Sequence, residues 1–132
     1  MKKANSILNN DVCEVPRWQL LKQQLNNLSP KEFERAIRDT PDAVVIDVRT
    51  PAEFAAGHIE DAINIDYLSY DFWDRMEQLD PERTYFIYCR TARRSVRTCT
   101  LMRNGGFQRV YHLDGGWNLW LEITVEGRGI TL

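Results

Sequence analysis

The stretch TYFIYCRTARRSVRTCTLMRNGGFQRVYHL, residues 84–113, decides the fold class. Its β-branched and aromatic run at 84–89 is typical of a buried strand. Residues 92–104 follow with a helical pattern that ends at Gly105-Gly106, and RVYHL at 109–113 predicts a second strand. Because the helical connection is too long for a hairpin, we expect the two strands to lie parallel in one sheet.

The same alternation of strands and helices extends toward both ends of the chain. In SPKEFERAIRDT, Ser29 is a capping residue, Pro30 suits the first helical position and Glu32 completes a capping box. Strands and helices in alternation predict an α/β fold with a small, mostly parallel sheet and helices on both faces. The remaining predicted strands are AVVIDV (43–48) and AINI (62–65), and the remaining predicted helices are 16–27, 50–58, 68–79 and 117–122.

The chain has 132 residues, enough for one domain. We expect an N-terminal arm and extra helix at 1–27, a main domain at 28–122 and a C-terminal tail at 123–132. The N-terminus MKKANSILNNDV begins with positive charge but lacks the apolar run of a signal peptide, and no stretch is long enough to cross a membrane. The sequence therefore predicts a cytoplasmic protein without a membrane partner.

Charge is distributed unevenly along the chain. The net charge of −2 gives no global basic character, and we expect no nucleic-acid partner. Between Arg83 and Leu113, however, there are seven arginines and no acidic residue, and all 19 acidic residues lie outside that window. Such a concentrated positive segment suits a small anionic ligand, although a solvated basic face is the alternative.

The three cysteines, Cys13, Cys89 and Cys99, match no disulfide framework or metal motif. With two histidines and no CxxC, we expect no metal and no cofactor. Cys99 lies on an apolar helical stripe and is predicted to be a core residue. Cys13, in the polar arm, is interpreted as an incidental thiol. Free thiols fit a reducing compartment.

Cys89 is the candidate nucleophile. It lies at the carboxyl end of a predicted strand, where open α/β sheets bind ligands. The loop leads into a helix start, whose free N–H groups and dipole attract anions and help a thiol to lose its proton. The alternative is a buried apolar filler. The loop offers no histidine or carboxylate as a base, so its N–H groups and arginines themselves would activate the thiol. The candidate anion-binding residues are Arg90, Thr91, Ala92, Arg93, Arg94 and Ser95.

Several segments, taken together, resemble single-domain rhodaneses, a family of sulfurtransferases. They are VVIDVRTPAEFAAGHIEDAINI (44–65), YCRTARRS (88–95), GGFQRVYHLDGGW (105–117) and Trp120. The resemblance implies that Cys89 takes the outer sulfur of a donor such as thiosulfate and becomes a persulfide. The sulfur then passes to cyanide or to a thiol, including a thiol on an acceptor protein.

The resemblance also implies roles for residues outside the loop. Asp47 and Arg49 match the family's D-V-R strand end, and Asp47 is expected to pair with an arginine of the site and hold the loop in shape. Glu53, Gly57 and His58 match E-F-x-x-G-H. Structural roles explain these three as well: half of a capping box, a helix stop and a structural histidine.

We expect the tryptophans near the C-terminus to have structural roles. Asp114-Gly115-Gly116 predicts a turn that brings Trp117 and Trp120 onto the sheet, as core or as pocket wall.

Two other functions compete with sulfur transfer. A rhodanese-like fold also occurs as a non-catalytic binding module, but such modules tend to lose the cysteine that is present here. A cysteine phosphatase or arsenate reductase is disfavoured, since the loop from Cys89 to Arg94 is one residue shorter than in related phosphatases. Ala92 stands where many rhodaneses have glycine. A left-handed backbone there would strain the loop.

Overall fold

A computed structural model describes residues 15–125 of the protein. The predicted arm, including Cys13, and most of the predicted tail lie outside these residues. No helix in the described range is long and apolar enough to cross a membrane. The elements in chain order are α1 (Arg17–Lys22), β1 (Asn26–Leu28), α2 (Pro30–Asp39), β2 (Ala43–Asp47), α3 (Pro51–Ala56), β3 (Ile63–Asn64), α4 (Phe72–Glu77), β4 (Thr84–Tyr88), α5 (Arg93–Asn104), β5 (Arg109–Leu113) and α6 (Gly116–Val125).

The five strands form one parallel sheet in the order β1-β5-β4-β2-β3. The predicted α/β fold class is therefore confirmed. The strand β4 occupies the centre, with Ile87 opposite His112 of β5 and Tyr88 opposite Asp47 of β2. All carboxyl ends lie at one edge because the strands run in the same direction, and the residues that follow β2 and β4 meet there.

Side chains along β4 and at its end alternate between two apolar layers, one on each face of the sheet. Tyr85, Ile87 and Cys89 belong to a cluster with side chains of α4 and α5, including Met76 and Met102. On the other face, Phe86 and Tyr88 of β4 pack in a cluster with Phe33 of α2 and with Trp117 and Trp120 of α6. The sheet is thus buried on both sides, which explains the continuous apolar strands in the sequence.

The two predicted capping boxes are present. The Ser29 hydroxyl accepts from the Glu32 amide and the Glu32 carboxylate accepts from the Ser29 amide at the start of α2. Thr50 and Glu53 make the same reciprocal pair at the start of α3. Each box satisfies two N–H groups that the first helical turn leaves free, so both helices begin where the sequence predicts.

The prediction for 16–27 is wrong in part. The helix ends at Lys22, and residues Asn26–Leu28 form an edge strand against β5. The Asn27 side chain donates to the carbonyl groups of Lys22 and Leu25 and closes the turn between helix and strand. These tertiary and side-chain contacts override the apolar spacing, which continues to Leu28 and had favoured a longer helix.

Candidate active site

Cys89 follows β4 directly and opens the loop to α5. Only 1% of the residue is exposed. It nevertheless borders a surface cavity of about 310 Å³. The side chains around the cavity are strongly basic and include no carboxylate: Tyr67, Arg90, Thr91, Arg93, Arg94 and Arg97.

The backbone of this loop is held by the start of α6. The amide of Trp117 donates to the Cys89 carbonyl at 2.9 Å, and the amide of Asn118 donates to the Arg90 carbonyl at 3.1 Å. In a trans peptide the C=O and N–H point in opposite directions. The N–H groups of Arg90 and Thr91 therefore point away from α6. The free amides of one helix start thus orient the loop that precedes another helix.

Gly116 makes this close approach feasible. Its φ is +60°, and a Cβ at this position would lie 2.6 to 2.7 Å from the carbonyl oxygens of three consecutive loop residues, Cys89, Arg90 and Thr91. No other residue type fits without moving the loop. The sequence predicted only a turn here, whereas the second glycine is the contact on which α6 supports the Cys89 loop.

Ala92 does not strain the loop. Its φ is −157°, outside the left-handed region in which glycine is favoured. The methyl side chain is buried, with 8% of the residue exposed. Alanine is therefore compatible with the loop conformation of this chain.

Inside the loop, the sulfur of Cys89 contacts Ser95. The Ser95 amide donates to Sγ at 3.4 Å, and the Ser95 hydroxyl oxygen lies 3.2 Å from Sγ. Ser95 is completely buried and is the third residue of α5. Of the predicted loop residues, it makes the most direct side-chain contact with the sulfur.

Ser95 connects Cys89 to a buried histidine. Ser95 Oγ lies 2.7 Å from His112 Nε2, and His112 Nδ1 lies 2.9 Å from Asn27 Oδ1. Burial is the main reason that the pKa of His112 falls to about 4. The charge of Lys22 lowers this pKa further, whereas the charge of Asp114 raises it. The loop itself contains no histidine, as the sequence indicates. His112 lies on the neighbouring strand β5 and contacts Ser95, which in turn contacts Cys89.

The arginine that closes the loop is paired with Glu53. Arg94 donates from Nη1 to Glu53 Oε1 at 2.9 Å and from Nη2 to Oε2 at 3.3 Å. These hydrogen bonds lower the pKa of Glu53 to about 2, although partial burial acts in the opposite direction. Glu53 therefore caps α3 and anchors the Cys89 loop at the same time.

Asp47 pairs with Arg49, not with an arginine of the loop. Both residues are buried, and Arg49 donates to both Asp47 carboxylate oxygens at 2.6 to 3.0 Å. Arg49 also donates to the Gly57 carbonyl and packs on the Trp117 ring at 4.8 Å. The pair thus fixes the end of α3, and Asp47 acts on Arg94 through electrostatic attraction without a hydrogen bond.

Other sequence-predicted residues have the expected structural surroundings. Cys99 is 1% exposed in the apolar cluster, and burial raises the pKa of its thiol. His58 stacks on Phe54 with ring centroids 3.7 Å apart and contacts the Phe54 carbonyl through Nδ1. Trp117 and Trp120 are core residues. Within residues 15–125, no group of three or more His, Cys, Asp or Glu side chains is arranged to hold a metal ion.

Sequence reasoning missed two residues of the cavity wall. Arg97 lies four residues after Arg93 and three after Arg94, so helical spacing would have placed it on the same face. Tyr67 comes from the segment after β3 and reaches the site through the arrangement of the sheet. No local sequence signal marks Tyr67.

Comparison with known proteins gives the family of this chain. The family model of the rhodanese-like domain matches residues 29–123, and the chain belongs to that family. It is 33% identical over 96 residues to a sulfurtransferase of Allochromatium vinosum, covering 73% of this chain and 88% of the relative. It is 31% identical over 102 residues to the thiosulfate sulfurtransferase GlpE of Pseudomonas syringae, covering 74% and 93%.

A solved structure shows the same relationship. The homodimeric polysulfide-sulfur transferase of Wolinella succinogenes superposes with a TM-score of 0.72 at 27% identity, over 86% of this chain and 85% of that one. The resemblance inferred from the motifs is therefore confirmed, and the chain is a rhodanese-like protein with sulfurtransferase relatives.

Proposed function

We propose that this protein is a sulfurtransferase that carries a sulfane sulfur on Cys89. The observation that carries the proposal is a cysteine at the carboxyl end of the central strand, bordering a cavity lined by four arginines. Thiosulfate and persulfides are small sulfur anions, and a basic cavity without carboxylates favours them. Relatives with sulfurtransferase activity in their names support the same reaction class.

The reaction proceeds in two displacements. The Cys89 thiolate attacks the outer sulfur of the donor, the donor's S–S bond breaks, and sulfite leaves with the electron pair when the donor is thiosulfate. The outer sulfur of the resulting persulfide is then attacked by cyanide or by a thiolate. Cys89 leaves as a thiolate, and the enzyme returns to its first state.

The loop and its arginines stabilise charge in both steps. The N–H groups of Arg90 and Thr91 point away from α6, and the guanidinium groups of Arg93, Arg94 and Arg97 border the cavity. Preorganised donors of this kind stabilise developing negative charge without reorganising during the reaction. They serve the outer persulfide sulfur and the departing sulfite alike.

Intact-protein mass spectrometry after thiosulfate treatment tests the proposal. We expect a gain of one sulfur atom, about 32 Da, that is absent in Cys89→Ser and present in the control Cys99→Ser. Cyanide then removes the added mass as thiocyanate. If the folded protein gains no sulfur but hydrolyses p-nitrophenyl phosphate, it is a phosphatase. If it does neither, it is a non-catalytic module.

A further inference from the structure

We propose that His112, acting through the Ser95 hydroxyl, stores the proton that Cys89 releases when its thiolate forms. This role deepens the proposed sulfurtransferase function and rests on it. His112 does not touch the reacting sulfur, so it is a positioning residue for Ser95 and a proton reservoir for the loop. Asn27 is the third member and orients the imidazole.

The proton positions follow from the hydrogen bonds of Asn27. Its side-chain nitrogen donates to the carbonyl groups of Lys22 at 2.9 Å and Leu25 at 3.3 Å, which fixes the orientation of the amide. The Asn27 oxygen therefore faces His112 and accepts a hydrogen bond from Nδ1–H at 2.9 Å. A neutral imidazole with its proton on Nδ1 has a free lone pair on Nε2.

That lone pair determines the direction of the remaining hydrogen bonds. Ser95 has one hydroxyl proton and lies 2.7 Å from His112 Nε2, closer than to the Ala92 carbonyl at 3.0 Å. The hydroxyl therefore donates to Nε2, and its oxygen accepts from the Cys89 thiol at 3.2 Å. Each side-chain donor of this hydrogen-bond network points the same way, from Cys89 through Ser95 and His112 to Asn27.

One concerted shift converts this network into its charged form. The thiol proton moves to Ser95 Oγ while the serine proton moves to His112 Nε2. This leaves a Cys89 thiolate that accepts from Ser95 and an imidazolium that donates to Ser95 and Asn27. Every buried polar group keeps a partner in both forms, and the net charge of the network stays zero. A buried thiolate without such a counter-charge would be far more costly.

Charged groups around the network are consistent with this exchange. Lys22 and Asp114 form an ion pair at 2.6 Å near His112, with opposite effects on the imidazole. On the cavity side Arg94 interacts electrostatically with Cys89, while burial raises the pKa of the Cys99 thiol behind it. While Cys89 keeps its proton, the buried imidazole stays neutral, as its low pKa requires.

Alkylation of Cys89 by iodoacetamide, followed across pH by peptide mass spectrometry, measures the thiolate. In His112→Gln, which can still accept from Ser95 but cannot take its proton, we expect the profile to move about one pH unit upward and the rate at pH 7 to fall about tenfold. Ser95→Ala has the same effect, and the double variant adds nothing further. The control is His58→Gln. A His112→Gln profile that coincides with the control overturns the proposal.

Nitrogen NMR of the His112 ring decides the question without altering the histidine. We expect Nε2 to keep its proton to higher pH in the unmodified protein than in Cys89→Ala, because only the thiolate stabilises the imidazolium. Equal titration in the two proteins overturns the proposal. Neither measurement requires sulfur transfer, so a thiosulfate-dependent mass gain with an uncoupled His112 leaves the proposed function intact and removes the relay alone.

Discussion

Replacing His112 by glutamine is expected to remove a pH-dependent part of the protein's stability. In the unfolded chain this imidazole has its ordinary pKa of 6.5, whereas burial lowers the folded value to about 4. The unfolded state therefore binds more protons between these limits. The stability contribution is complete above pH 6.5 and is lost as the pH falls through 4. The full difference corresponds to about 3 kcal/mol, of which about 2 kcal/mol is lost between pH 7 and pH 5.

Urea unfolding at pH 7 and pH 5, followed by fluorescence of the buried tryptophans, measures this loss. Glu53, with a folded pKa of about 2, affects stability mainly below pH 4.5, so the chosen range isolates the histidine. We expect the unmodified protein to lose about 2 kcal/mol more than His112→Gln over this range. Parallel pH dependences in the two proteins would refute the assignment of a buried, neutral imidazole.

Three further variants test the support of the loop. Gly116→Ala places a methyl group against three loop carbonyls and is expected to lower the rate of sulfur transfer at least about tenfold. The control Gly106→Ala also lies at a positive φ but has open space around its Cβ, so we expect its rate to be unchanged. Equal rates of sulfur transfer in the two variants would contradict this. Glu53→Gln is expected to weaken thiosulfate binding by releasing Arg94, with a rise in KM, and to cost no more than about 1 kcal/mol in urea unfolding. Ala92→Gly is expected to keep its activity, and an inactive, folded variant would show that the loop conformation is misjudged.

The parts of the fold that sequence could predict depend on neighbours along the chain. The capping boxes at Ser29 and Thr50 involve residues three positions apart, and β-branched runs identify buried strands by composition. The position of Cys89 at a strand end followed from the alternation of elements. The edge strand at 26–28 was missed because its stability comes from β5, about 85 residues away in the chain.

The candidate site likewise contains residues that local sequence predicts and residues that only the tertiary structure brings together. The loop residues are contiguous and were named from sequence, but their partners come from other elements. His112 is joined to Ser95 across 17 positions, and Glu53 to Arg94 across 41. Nothing in the sequence near Cys89 indicates either partner, and the resemblance predicts Asp47 as the partner of a site arginine and only a capping role for Glu53. Only the packing of strands and helices determines which carboxylate meets which arginine.

Cys89, inside the arginine-lined cavity, is proposed to carry one sulfur atom. A crystal structure of thiosulfate-treated protein, with anomalous scattering to locate sulfur, tests it directly. We expect a second sulfur about 2.05 Å from Cys89 Sγ, pointing into the cavity. An unmodified Cys89 in protein that has gained the mass of sulfur, or the added sulfur on Cys99, would contradict it.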